Sequence, residues 1–240
     1  EQVTKRLGVL HALREFGVPV YNDARAIERS VDKSMTSLLL HAAGVATPPT
    51  WALESAEQAQ RLVMRESAAG HALVLKPLFG SQGKGLQRVG CVDGTHVPLP
   101  ALRVGYGDLA YLQRFIPPQG EPGHDFRVLV VGGVALTAMR RVSHHWVHNV
   151  AQGARCVPQP LDDETGVALA RLAVAAARAL DMDYAGVDLM PSADGLKVIE
   201  VNGVAAWQGL QGVTQRNIAR ALVDDLFDRK AAALALRQRA

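Results

Sequence analysis

Two pairs of neighbouring β-strand patterns, each joined by a short turn, constrain the fold of this chain most strongly. Residues 126–131 and 134–140 flank two consecutive glycines, which is a strong hairpin signal. Residues 184–202 contain two apolar runs separated by a turn at 191–195. Hairpins join antiparallel strands, whereas the regular strand–helix alternation of a doubly wound fold produces parallel ones. The sequence therefore predicts a mixed α+β fold with antiparallel sheets.

Apolar periodicity predicts the remaining elements. Helices are expected at residues 3–16, about 32–43, about 55–69 and about 162–180, with a final helix from near residue 214. Strands are expected at residues 18–21, 72–76 and 110–116. A helix followed by a short strand at the start is typical of the end of an α/β domain. Residues 1–30 are therefore interpreted as the last portion of a domain whose beginning is absent.

Composition excludes several classes of function. The chain has 240 residues, of which 48% are hydrophobic and 20% charged, as in ordinary globular proteins. No apolar run reaches the roughly 18–20 residues of a membrane helix, so no membrane partner is expected. The net charge is +3, but the basic residues are scattered, so no nucleic-acid partner is expected. Cys91 and Cys156 lack metal-ligand spacing, which favours a cytoplasmic location.

The hairpin at residues 184–202 predicts a cluster of oxygen ligands. A three-residue loop, 193–195, places Asp188 directly opposite Glu200, with Asn202 on the same face. Two like charges opposite each other destabilise a sheet unless a cation compensates them. Carboxylate and amide oxygens suit Mg²⁺, although an exposed hairpin or a balancing Lys or Arg would explain the same pattern.

A glycine-rich loop directly follows the strand 72–76. Lys76 ends that strand, and the loop contains the candidate phosphate-binding residues Gly80, Ser81, Gln82, Gly83 and Gly85. Glycines let backbone N–H groups approach phosphate oxygens, and a lysine supplies a positive charge. The loop does not match the Walker A pattern, and a plain turn is the alternative interpretation.

The Gly132-Gly133 hairpin carries arginines. A two-residue turn pairs Arg127 with Ala138 and Asp125 with Arg140, so that Arg127 and Arg140 share one face and Arg141 lies on the other. Two aligned guanidinium groups suit an oligophosphate or an anionic intermediate. A simple cross-strand salt bridge is the alternative.

His144, His145 and His148 follow this hairpin closely. Their spacing would permit a transition-metal site if the segment were helical. A polar loop at the mouth of a substrate site is the favoured interpretation.

The order of these motifs resembles that of the RimK-type ATP-grasp ligases. The resemblance runs from about residue 18 to the final helix and rests on these segments: Asp32-Lys33, Lys76 with the glycine loop, Gln113-Arg114-Phe115-Ile116, Asp125-Phe126-Arg127, Arg140-Arg141, Asn149, Ala185-Gly186-Val187-Asp188 and Glu200-Val201-Asn202. It implies an ATP-grasp fold in which two subdomains, residues 31–112 and 113–240, grip ATP. Residues 1–30 would then end a pre-ATP-grasp domain.

The resemblance also implies roles for individual residues. Asp188, Glu200 and Asn202 would hold Mg²⁺, or Mn²⁺ in its place. Lys33 and Lys76 would bind phosphates beneath the glycine loop as a lid. The strand with Gln113, Arg114 and Phe115 would read adenine through its backbone, and Asp125 would hold the nucleotide. Arg127, Arg140 and Asn149 would be the catalytic residues, with Arg140 near the transferred phosphate.

The implied activity is an ADP-forming carboxylate–amine ligase that acts through an acyl phosphate. Its partners would be ATP, an amino acid, a carboxylate-bearing small molecule and further copies of the chain. Residues 202–210 are similar to those of glutamate ligases for coenzymes of the tetrahydromethanopterin type. A ligase that modifies a protein C-terminus and a nucleotide-binding regulator without ligase activity are the alternatives. Arg114, where the family has an acidic residue, and Val147, where many relatives have arginine, depart from the pattern.

Overall fold

Two antiparallel sheets organise the chain. The computed structural model describes residues 2–80, 82–102, 106 and 109–231. Its strands are β1 (Thr50–Leu53), β2 (Ala72–Lys76), β3 (Gln87–Val92), β4 (Thr95–Val97), β5 (Ala110–Arg114), β6 (Gly123–Val131), β7 (Val134–Ser143), β8 (Arg155–Gln159), β9 (Tyr184–Ser192) and β10 (Gly195–Asn202). Within the described ranges, the strand order is β1-β5-β2-β3-β4 in the first sheet and β10-β9-β6-β7-β8 in the second.

Helices flank these strands in the chain. They are α1 (Gln2–Glu15), α2 (Ala24–Val31), α3 (Lys33–Ala42), α4 (Ala56–Ala68), α5 (Glu164–Ala179), α6 (Gln208–Gln211) and α7 (Ile218–Asp225), with a 3₁₀ turn at Val150–Gln152 and a π-helical turn at Leu226–Ala231. Asp32, Ser55 and Asp163 cap the N-termini of α3, α4 and α5 through side-chain oxygens that accept backbone N–H groups. None of the helices that the structure describes is long and apolar enough to cross a membrane.

Each sheet is covered by one long helix. Leu62 and Val63 of α4 pack on Leu73 and Leu75 of the first sheet. Leu169, Ala173 and Ala176 of α5 pack on the second, against the inward residues of β6, β9 and β10. The opposite face of the second sheet is therefore left for α6, α7 and the functional cleft. The predicted α+β fold with antiparallel sheets is confirmed.

The hairpin of β9 and β10 reaches the predicted pairing by a different route. Gly195 pairs with Ser192, so the turn has two residues and not three, and Met190 faces Lys197. The Ser192 hydroxyl lies 2.6 Å from both Asp194 Oδ1 and the Gly195 carbonyl oxygen, which tightens this turn. A β-bulge at residue 199 then shifts the register by one residue. Asp188 consequently faces Glu200, as predicted.

The predicted register of the β6–β7 hairpin is wrong beyond the turn. Val131 pairs with Val134 as expected, but the register shifts between Leu129, which faces Thr137, and Val130, which faces Ala135. The extra residue moves every later side chain of β7 to the other face. Asp125 therefore faces Arg141, and Arg140 faces Phe126.

The strand predicted at residues 18–21 is not formed. Residues 18–20 are irregular, and the segment is held instead by the side chain of Asn22, which is 1% exposed. Its Nδ2 donates to the carbonyls of Tyr184 (2.7 Å) and Gly203 (2.8 Å), while its Oδ1 accepts from the N–H groups of Asp183 and Tyr184. One satisfied amide thus attaches the segment before α2 to the start of β9.

Candidate active site

A cleft of about 820 Å³ lies between the two sheets, a size typical of small-molecule sites. Of the predicted binding and catalytic residues, it is lined by Lys33, Lys76, Gly80, Gly83, Gln113, Arg114, Phe115, Asp125, Asn149, Asp188 and Glu200. Gln82, Gly85, Arg127, Arg140 and Asn202 are not part of its lining, and Ser81 lies outside the described residues. The structure therefore brings together most of the residues that the motifs singled out.

The carboxylate pair lies on the cleft side of the second sheet. Asp188 is 2% exposed and Glu200 is half-buried, and the two face each other across the β9–β10 ladder. Asn202 continues this face and donates through Nδ2 to the Gly186 carbonyl (3.3 Å). Glu200 forms no ion pair with any residue that the structure describes. These oxygens are the donor set that Mg²⁺ prefers, so the residues fit the proposed ion.

Two arginines lie beside Asp188 and Asp125. Arg127 donates to Asp188 through Nε and Nη2 at 2.7 Å each, and Arg141 donates to Asp125 at 2.7 and 2.5 Å. Arg141 Nη2 also lies 3.2 Å from Asp188 Oδ2. Bidentate geometry of this kind belongs to ionised carboxylates.

The charges of this cluster shift one another's pKa values. Burial alone would raise the pKa of the Asp188 carboxyl, but the guanidinium groups of Arg127 and Arg141 hold it below its usual value. Burial alone would lower the pKa of Arg141, but the carboxylates of Asp188 and Asp125 raise it. Both pairs therefore stay ionised over the pH range of a working enzyme.

Arg140 does not join this cluster, which corrects the expectation from the motif. It pairs with Phe126, whose side chain packs in the core beneath α5, and it is exposed. Arg140 thus lies on the opposite side of the sheet from the cleft. Arg141 takes the position on the cleft side that the sequence assigned to Arg140.

Lys33 and Lys76 lie on the first half of the cleft. Lys33 Nζ donates to the Gly80 carbonyl (2.8 Å), and Lys76 Nζ donates to Gln113 Oε1 (2.7 Å). Burial lowers the pKa of Lys76 to about 8, against the opposing effect of Glu200. Burial likewise lowers the pKa of Lys33. Two partly desolvated ammonium groups near one carboxylate are suited to polyphosphate oxygens.

The glycine-rich loop closes over the cleft and contacts the second sheet's loops. A Cβ at Gly83 would lie 2.8 Å from Val147 Cγ1 and 2.9 Å from Asn149 Oδ1, and its φ is +69°. Gln152 Nε2 donates to the Gln82 carbonyl (3.3 Å). A glycine is therefore required at residue 83 for this close approach.

Gly85 holds the other end of the loop. The Tyr106 hydroxyl donates to its carbonyl (2.8 Å), and a Cβ there would lie 2.9 Å from Pro77 Cγ. Gly85 thus shapes the loop from behind, without reaching the cleft itself.

The strand expected to read adenine has its N–H groups already engaged. Arg114 donates its N–H to Pro49 O (2.8 Å) and Phe115 to Ala72 O (2.9 Å). Any reading of adenine by these two residues would have to use their carbonyl groups. Ile116, the next residue along, also lines the cleft.

The Arg114 side chain has a structural partner. Its Nε and Nη2 donate to Glu66 Oε2 at 3.2 and 2.7 Å, and Glu66 is buried in α4. Burial alone would raise the pKa of Glu66, but Arg114 and Arg65 lower it. The departure at residue 114 therefore secures the end of β5 to α4.

The segment 144–149 forms the far wall of the cleft and is not helical. No group of three His, Cys, Asp or Glu side chains in the described part of the chain could hold a metal ion. His144 pairs at the surface with Glu121 (2.8 Å), whereas His148 is 4% exposed. Burial lowers the pKa of His148 to about 4, and the charges of Arg141 and His124 add to this shift. The structure supports the polar-loop interpretation of these histidines.

Sequence reasoning missed the apolar walls of the cleft. They are formed by Val74, Leu86, Ile116, Trp146, Val147, Met190 and Ile199. Val74 and Met190 each lie two residues from a predicted ligand on the same strand, so strand periodicity could have identified them. Ile199 reaches the cleft through the β-bulge, which no pattern in the sequence announces.

Comparisons with known proteins agree with this geometry. Residues 30–226 match the model of the RimK-like ATP-grasp domain. The chain is 36% identical over 225 residues to a tetrahydromethanopterin:alpha-L-glutamate ligase of Methanococcus maripaludis and 35% identical over 226 residues to that of Methanocaldococcus jannaschii. The matches cover 93% and 92% of this chain and 74% of each relative.

A solved structure shares the fold. The ATP-grasp ligase PsnB, in a complex with a phosphomimetic variant of its minimal precursor, Mg and ADP, is 24% identical. The superposition covers 94% of this chain and 67% of PsnB, with a TM-score of 0.64. The chain belongs to the RimK-like ATP-grasp family, and the predicted class, an ADP-forming carbon–nitrogen ligase that uses ATP, is confirmed.

Proposed function

We propose that this ligase adds L-glutamate to a carboxylate-bearing coenzyme of the tetrahydromethanopterin type, with a divalent ion held by Asp188, Glu200 and Asn202. The names of the two archaeal relatives support the substrate class. The facing carboxylates Asp188 and Glu200, with two lysines in the same cleft, are the observation that carries the site.

The chain's own residues divide the work of the reaction. Lys33 and Lys76 would bind the ATP phosphates, and the loop around Gly83 would exclude water above them. Arg141 would stabilise the negative charge that develops when the substrate carboxylate attacks the γ-phosphate. Bound Mg²⁺ would neutralise phosphate charge at Asp188 and Glu200.

The second step needs orientation more than a protein nucleophile. The amine of glutamate attacks the acyl carbon of the acyl phosphate, the bond from that carbon to the phosphate oxygen breaks, and inorganic phosphate leaves. Asn149 lines the cleft next to Gly83 and would orient the reacting groups as the lid closes. No covalent enzyme intermediate is required, because the phosphate is already the leaving group.

A substrate panel tests this function. The protein is incubated with ATP, Mg²⁺ and glutamate together with a pterin coenzyme acceptor or a short peptide, and products are identified by mass spectrometry. Glutamate addition to the coenzyme supports the proposal. Addition only to the peptide, or ATP hydrolysis without a conjugate, refutes the assigned substrate.

Glu200→Gln tests the metal site. It should abolish ADP formation while leaving the fold intact, because an amide keeps the shape of the side chain and removes its charge. The exposed Glu54→Gln is the matched control and should keep wild-type turnover. Wild-type ADP formation by the Glu200 variant would refute the metal assignment.

A further inference from the structure

The charges around the proposed metal site do not favour a free divalent ion. The central charged side chains are Asp125, Asp188, Glu200, Lys33, Lys76, Arg127 and Arg141, and they act on one another's pKa values. Three carboxylates therefore face four cations, which leaves this group with a net charge of +1. A divalent cation that enters alone meets an environment that is already positive.

Asp188 is also largely engaged. A carboxylate has about four lone-pair positions. Oδ1 accepts from Arg127 Nε at 2.7 Å, while Oδ2 accepts from Arg127 Nη2 at 2.7 Å and lies 3.2 Å from Arg141 Nη2. One position, on Oδ1, remains for another ligand. Glu200 has no comparable partner among the side chains that the structure describes.

We infer that Arg127 is a positioning residue that makes the binding of the divalent ion depend on the nucleotide. It holds Asp188 so that only one lone pair is offered, and its charge opposes a free ion. The inference rests on the proposed metal site but assigns Arg127 a different task from phosphate binding. ATP reverses the balance, because its polyphosphate brings about four negative charges into the same cleft. The ion then enters together with the nucleotide.

The expected effect is large. A single positive charge about 5 Å from a divalent ion, at an effective dielectric constant of about 20, lowers the affinity for that ion by more than about 100-fold. The position of Arg127 supports such coupling, because the guanidinium would share one carboxylate with the ion and is itself only 12% exposed. Salt should therefore weaken the effect only slightly.

Mn²⁺ is the probe for the test, because its electron paramagnetic resonance signal reports the free ion directly. The wild-type protein should bind Mn²⁺ in the presence of ADP at least about 100-fold more tightly than in its absence. Arg127→Met should bind Mn²⁺ without ADP, since Asp188 loses its main partner. Arg127→Lys keeps the charge and should behave like the wild type in this measurement. The double variant Arg127→Met/Asp188→Asn should lose the gained binding.

The outcomes separate the inference from the proposed function. Tight binding of Mn²⁺ to the wild type without ADP overturns the inference, and so does an Arg127→Met variant whose affinity for Mn²⁺ is unchanged. If the wild type binds no Mn²⁺ even with ADP, the proposed metal site itself is wrong. The wild-type comparison needs no variant, so a failure of Arg127→Met to fold leaves the inference testable. A lower kcat with unchanged KM for ATP in Arg127→Lys would support the positioning role.

Discussion

Lys76 is expected to cost the free protein stability. Its ammonium lies in the cleft, where burial lowers its pKa from 10.5 to about 8. That difference corresponds to about 3 kcal/mol of unfavourable charge burial. Water in the cleft screens part of it, because the side chain is only half-buried. The hydrogen bond to Gln113 also offsets about 1 kcal/mol.

Lys76→Met should therefore raise the free energy of unfolding at pH 7 by about 1–2 kcal/mol while abolishing ADP formation. The sign of the pH dependence follows from the lowered pKa. Below about pH 8 the lysine is protonated in both states and the full penalty applies. Between pH 8 and 10.5 the folded state loses its proton first, so the wild type gains stability relative to the variant.

Urea unfolding at pH 7, 8, 9 and 10 measures both proteins. Lys84→Met is the matched control, because Lys84 is exposed on the neighbouring loop, and its stability should change by less than about 0.5 kcal/mol. The stability advantage of Lys76→Met should shrink towards pH 10. A variant that is less stable than the wild type at pH 7, or an advantage that does not change with pH, would refute the reasoning.

Two further substitutions test the loop and the end of β5. Gly83→Ala should weaken ADP binding about tenfold, measured by calorimetry, because the added Cβ would meet Val147 and Asn149 at under 3.0 Å in the closed loop; an unchanged affinity contradicts the contact. Arg114→Ala should lower the free energy of unfolding by about 2 kcal/mol in urea, because buried Glu66 loses two hydrogen bonds. A loss below about 0.5 kcal/mol would show that the other partners of Glu66 are sufficient.

Local patterns predicted much of the second sheet. Period-two alternation identified both hairpins, and Gly132-Gly133 located one turn correctly. The pairing of Asp188 with Glu200 was also predicted, but from a three-residue loop that does not exist. A shorter turn and a bulge at residue 199 compensate each other. The agreement at this pair therefore came from two errors that cancelled.

Bulges explain most of what the sequence did not reveal. A single extra residue costs little in pairing energy and changes the face of all later side chains, so a pattern of apolar residues near a strand end does not locate it. The predicted strand at 18–21 failed for a different reason. Its short apolar run has the right composition, but side-chain bonds of the buried Asn22 to Tyr184 and Gly203 hold the segment, and such long-range partners leave no local signal.

The last prediction concerns Arg141, where the register error had a functional consequence. Arg141→Met should abolish ADP formation and lower the free energy of unfolding by about 3–5 kcal/mol, because Asp125 is left buried and unpaired. Arg140→Met removes the same charge from the opposite face and should leave both quantities near wild type. The double variant Arg141→Met/Asp125→Asn should recover most of the stability but none of the activity. Equal losses of activity at residues 140 and 141 would mean that the shifted register is wrong, because two neighbouring residues of a strand cannot both face one cleft.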